Sequence, residues 1–155
     1  MNEDQQHFVE DFGLALEQAG LPRMTGRVWG YLLISDPPHQ SAESLAKALQ
    51  ASRGSISMTT RSLMQMGLID KVSFPGERRD YFRIRPGVWA DLLEQRARIV
   101  SDWRRLAERG LAVMDSEDAE ARRRLQEMRD IMAFYERELP ALTERWRKEE
   151  MKGSA

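Results

Sequence analysis

The 155-residue chain contains no cysteine, which removes disulfides, thiolate nucleophiles and Cys-ligated zinc together and fits a reducing compartment. Histidine is nearly absent: only His7 and His39 occur, and there is no H-E-x-x-H, G-x-S-x-G or glycine-rich phosphate loop. The acidic residues fall mostly at helix-surface spacings beside Arg and Lys, the pattern of solvated faces. A catalytic role is therefore not expected, and neither is a metal or other cofactor. No apolar run approaches the roughly 18 residues of a membrane span, and the opening MNEDQQ is polar and acidic where a secretory signal is basic, then apolar. With 41% hydrophobic and 32% charged residues, the expectation is an ordered protein of the cytoplasm, without internal repeats or low-complexity segments.

What is present is an order of elements. SAESLAKALQ has Ser41 as an N-cap and apolar residues at Leu45, Ala46 and Leu49, which predicts a short helix. After a tight turn, Ser52 caps a second helix with a buried stripe of Ile56, Thr59 or Thr60, and Leu63, and Gly67 stands just past its end. The opposite face carries Arg53, Ser55, Ser57, Arg61, Ser62 and Gln65, groups that reach base edges and phosphates in a major groove. Two strands follow, Leu68 to Phe74 and Asp80 to Arg85, joined by Pro75-Gly76-Glu77-Arg78-Arg79. In the second strand Phe82 and Ile84 face one way, and Tyr81, Arg83 and Arg85 the other. Helix, turn, helix, strand, basic hairpin and strand is the order of a winged helix-turn-helix, which points to duplex DNA as partner.

Net charge is −1, yet the segment from Arg53 to Arg85 holds seven Lys/Arg against three acids, +4, so the remainder carries −5. A local basic surface on an acidic body is the footprint of a phosphate-binding face. Arginines occur both on the second helix and at the hairpin tip, so Arg53, Ser55, Ser57, Arg61, Arg78 and Arg79 are the candidate DNA-contacting residues.

Helices flank this unit. Val9, Phe12, Leu16 and Ala19 predict an amphipathic helix over about residues 4 to 19, ended by Gly20. A second spans about 22 to 35, with Val28, Trp29, Leu32 and Leu33 as core, stopped by Asp36-Pro37-Pro38. After Pro86 and Gly87, the stripe Ile99, Trp103, Leu106, Gly110 and Val113 predicts a helix of about 25 residues, nearly 40 Å long and more than one small domain covers. In the last helix Leu125, Met128, Met132, Tyr135, Leu139, Leu142 and Trp146 recur at alternating steps of 3 and 4, the seam of a coiled-coil-like contact. Glu120-Arg124 and Glu144-Lys148 are i,i+4 pairs outside it, and Pro140 is expected to kink the helix near residues 136 to 140. The seam fits a second copy of the chain, the long helix of its own subunit, or both. Residues 1 to 4 and about 149 to 155 read as frayed ends.

The run ASRGSISMTTRSLMQMGLIDKVSFPGERRDYFRI resembles the recognition helix and wing of MarR-type transcriptional regulators, and the GERRDYF wing with long helices behind it most resembles the GbsR-like branch. The likeness extends over roughly residues 5 to 115. It implies a homodimeric regulator, usually a repressor, that releases DNA when a small ligand binds. The thiol switch of some such regulators has no residue to act through here. Trp29, Tyr31, Trp89, Trp103, Phe134, Tyr135 and Trp146 lie on helices that join the DNA-binding unit to the dimer region, where they either form ordinary core or cage a small-molecule effector, a quaternary amine if the GbsR-like resemblance extends that far.

The expected architecture is thus mainly α with a small β-hairpin wing: an N-terminal dimerisation helix (1–21), a winged helix-turn-helix (22–86) and C-terminal dimerisation helices (87–155). The alternative is a winged-helix protein-interaction module in which the same basic face meets an acidic protein surface.

Overall fold

The computed structural model of the chain describes residues 1–114 and 119–153; residues 154 and 155, part of the expected C-terminal fray, lie outside them. The chain divides into two compact units, Met1–Val88 and Trp89–Ala155.

In the first unit the order is α1 (Glu3–Gln18), α2 (Arg23–Ile34), β1 (His39–Ser41), α3 (Ala42–Ala48), α4 (Arg53–Gln65), β2 (Ile69–Val72) and β3 (Tyr81–Ile84). The N-terminus is capped: the Asn2 side chain accepts from the Gln5 amide while the Gln5 side chain accepts from the Asn2 amide, so helical order begins at Glu3 within the segment expected to fray. Two helices meet at glycines. A Cβ on Gly26 would lie 2.6 Å from the Phe12 carbonyl oxygen and 2.7 Å from the Cα of Gly13, so α1 and α2 cross backbone to backbone. The core beneath consists of Val28 and Leu32 of α2, Leu45 and Leu49 around α3, and Ile56 and Leu63 of α4, all buried.

The expected two-stranded hairpin is a three-stranded antiparallel sheet of order β1-β3-β2. His39 to Ser41 pair with Tyr81 to Arg83, and Ile69 to Val72 with Tyr81 to Ile84. Phe82 is buried and Arg83 exposed, as the alternation predicts.

The second unit holds α5 (Val88–Val113, which begins at the boundary residue) and α6 (Ala119–Gly153). Here Leu125 approaches Gly110 so closely that a Cβ on Gly110 would lie 2.9 Å from its Cδ1. The Ser101 hydroxyl donates to Glu136, whose other oxygen receives Arg104 Nε at 2.6 Å, and Arg147 pairs with Glu94. The Glu120–Arg124 and Glu144–Lys148 pairs form at 3.9 and 2.7 Å. α6 runs through Pro140 without ending there. The α5 stripe, on a helix expected to be longer than one small domain covers, is largely exposed: Ile99, Trp103 and Leu106 are 45–50% open and Val113 83%. Within the stripe Gly110 meets Leu125 of α6, while Ser101 and Arg104, outside it, meet Glu136.

Candidate nucleic-acid interface

α3 and α4 are set by their caps. Ser41 Oγ accepts from the Ser44 amide at 3.0 Å, and Ser52 Oγ from the Ser55 amide at 3.2 Å. Between them the chain turns through Gln50, at φ 51°, with Ala51 N donating to the Ala46 carbonyl and Gln50 N to that of Lys47. α4 ends the same way, with Leu68 N on the Leu63 carbonyl and Gly67 N on that of Met64. Here the left-handed residue is Gly67, φ 71°, which adopts it without a Cβ penalty. The buried Leu63 and Leu68 close the motif, which fixes where β2 leaves the helix.

Of α4, Ile56, Thr59, Thr60 and Leu63 are buried; the Thr60 hydroxyl is satisfied by the Ile56 carbonyl at 2.9 Å. Arg53, Ser57 and Arg61 are exposed and Ser55 half-buried, so the sequence-predicted face faces outward.

β1 positions the wing against this helix pair, because its last residue, Ser41, is also the cap of α3. It went unread in the sequence, where His39 sits in a proline-rich loop. Phe74 to Glu77 form a turn with Pro75 second, Gly76 third at φ 82°, and Glu77 N on the Phe74 carbonyl. The His39, Phe74 and Tyr81 rings gather with centroids 4.6 to 5.5 Å apart. Lys71 pairs with Asp80 at 2.8 Å, and the Tyr81 hydroxyl donates to Glu77 at 3.3 Å. The two tip arginines differ: Arg79 pairs with Glu43 of α3 at 3.3 Å, whereas Arg78, like Arg53, Arg61 and Arg83, makes no hydrogen bond or ion pair among the described residues. Sequence reasoning missed Glu43, whose signal is its place in the first turn of α3, within reach of the wing.

The aromatics proposed as an effector cage are differently placed. Trp29 is core, its ring edge-on to Phe12 at 5.5 Å. Trp89, Trp103, Phe134, Tyr135 and Trp146 are 44–50% exposed. Among the described residues no His, Asp and Glu cluster could hold a metal ion, and no helix is long and apolar enough to cross a membrane.

Two capped helices across a tight turn, an outward basic face and a sheet-anchored basic hairpin define the class of winged helix-turn-helix DNA-binding proteins. Residues 87–149 match the family profile described as MmpR5-like MarR family transcriptional regulator. The chain is 42% identical over 133 residues to the HTH-type transcriptional regulator MmpR5 of Mycobacterium tuberculosis (strain ATCC 25618 / H37Rv), covering 86% of this chain and 81% of that protein. It is also similar to a solved structure described as a transcriptional regulator, with TM-score 0.80 and 39% identity over 94% of this chain and 99% of the other. The chain belongs to the MarR family of transcriptional regulators.

Proposed function

We propose that the chain acts in the cytoplasm as a homodimeric repressor without catalytic activity, binding a palindromic operator and released by a small-molecule effector. The observation that carries this reading is the set of unpaired, exposed arginines, Arg53 and Arg61 on α4 and Arg78 on the wing. Arg53, Ser55, Ser57 and Arg61 approach base edges in the major groove, while Arg78 and Arg79 reach phosphates or the adjacent minor groove. Residues 1–21 and 87–155 form the dimer and 22–86 the reading head; the exposed apolar stripes of α5 and α6 support this division. Two-fold symmetry places the half-sites about 10 bp apart. The effector acts by favouring one spacing of the two recognition helices over another. The GERRDYF wing alone supports the narrower GbsR-like branch.

The test is titration of a selected duplex and a scrambled one at several salt concentrations. Replacing Arg78 and Arg79 with Ala should weaken both and lower the salt slope by roughly one unit per lost phosphate contact. Arg61→Ala should instead narrow the gap between the two duplexes by about 1 to 3 kcal/mol per lost base contact. A wing double variant that binds both as tightly as wild type, with an unchanged slope, would remove the reading's main support.

A further inference from the structure

On a helix of 3.6 residues per turn, the line opposite the buried stripe of α4 runs through Gly54, Met58, Arg61 and Gln65. Arg53 and Ser55 lie on its flanks. The outermost line is the part that enters a groove deepest, and at its centre stands an apolar side chain. Met58 is 71% exposed, the most open large apolar residue of the first unit among the described residues. A single exposed methionine is ordinary on a protein surface. Its surroundings here are not.

Helical side chains lean toward the N-terminus over residue i−4. For Met58 that residue is Gly54, where a Cβ would meet nothing closer than Ser52 Oγ at 4.0 Å. The thioether therefore has a bare stretch of helix beneath it, with Ser57 beside it and Arg61 one turn further on. Of the groups displayed in a major groove, the 5-methyl of thymine is the apolar one, and a flexible, polarisable thioether suits a methyl contact.

We propose that Met58 is a specificity-determining residue that reads a thymine 5-methyl group, within one or two base pairs of the base read by Arg61. This deepens the DNA-reading function proposed above and rests on it.

The test begins with duplexes selected from a random pool by the full-length wild-type chain. Each thymine of the selected site is replaced in turn by deoxyuridine, which removes the methyl and keeps the pairing edge. At one thymine per half-site the wild type should lose about fourfold in affinity, the worth of one buried methyl group. Met58→Ala should bind the thymine and uracil duplexes equally at that position, Met58→Leu should keep the preference, and both should melt like wild type because the side chain is exposed. Equal uracil penalties in wild type and Met58→Ala, or no thymine that matters, would overturn the methyl reading while leaving DNA binding standing. Failure of the wild type to enrich any sequence would overturn both.

Discussion

The first unit encloses Leu45, Leu49, Ile56 and Leu63, each at most 1% exposed, whereas the second adds only Ala90 and Ala107 to the buried apolar set among the described residues. The exposed surfaces invert this contrast. Around α4 and the wing the open side chains are mostly arginine, serine and carboxylate; along α5 and α6 they include Ile99, Trp103, Leu106, Phe134, Leu142 and Trp146. Apart from Met58, the α3–α4 region satisfies its large apolar residues internally and turns polar groups outward, while the long helices use one side for each other and leave apolar area uncovered. Large apolar side chains left open along both helices point to an interaction surface. The comparison teaches that the reading head is built to meet a polar, charged partner and the helical unit an apolar one, for which a second copy of the chain is the proposed occupant.

The sharpest way to break that contrast is to charge the helical seam. Leu139→Asp with Leu142→Asp places two carboxylates where the dimer is proposed, each costing several kcal/mol if buried unpaired. Sedimentation velocity should show the wild type as a dimer at tens of micromolar and the double variant as a monomer. A wild-type monomer under these conditions would remove the dimer altogether. Next in size is the core of the first unit. Ile56 is fully buried, so Ile56→Ala should cost about 2–5 kcal/mol by chemical denaturation followed at the first unit's signals, with the dimer intact by sedimentation. Loss of the dimer in Ile56→Ala would show that the two regions do not stand apart in this way.

Caps, turns and periodicity made much of this legible. Ser41, Ser52 and Gly67 act where their residue types predict, because caps and left-handed stops are local chemistry. β1 was not legible: three polar residues pair with a strand about 40 positions away, and no local pattern encodes that. On α5 the stripe was read as one that a single small domain does not cover, and its members are indeed largely open; spacing reveals that a face wants cover and not which chain supplies it. Met58 escaped for the opposite reason: an apolar residue on a polar face breaks the period and registers as noise.

The wing sharpens the comparison at a smaller scale. Arg79 is shared with Glu43, so Arg78→Ala should weaken non-specific duplex binding more than Arg79→Ala, each by at most a few fold. Glu43→Gln releases Arg79 and removes a negative charge from the same face. It should raise non-specific affinity and bring the two arginine effects level, as measured by anisotropy at two salt concentrations. Equal effects in the presence of Glu43 would mean that the ion pair does not restrain Arg79.

The smallest effect belongs to the polar knot of Ser101, Arg104 and Glu136 between α5 and α6. The Ser101 hydroxyl and then the Arg104 guanidinium hold the Glu136 carboxyl below its ordinary value of 4.5, outweighing the opposing effect of lost solvent. A carboxylate whose folded value is depressed contributes stability that is fully present above the unfolded value and is lost as pH falls through the folded one. Between pH 5 and 8, Glu136→Gln should therefore lower the melting temperature slightly and by a constant amount. Below about pH 4.5 the gap should close, because protonation then costs the wild type what the variant has already lost. The site is open to solvent, so salt should shrink the difference further. A gap that stayed constant down to pH 3 would mean that Ser101 and Arg104 do not favour the charged form, and that the crossing of α5 and α6 relies on Gly110 and Leu125 instead.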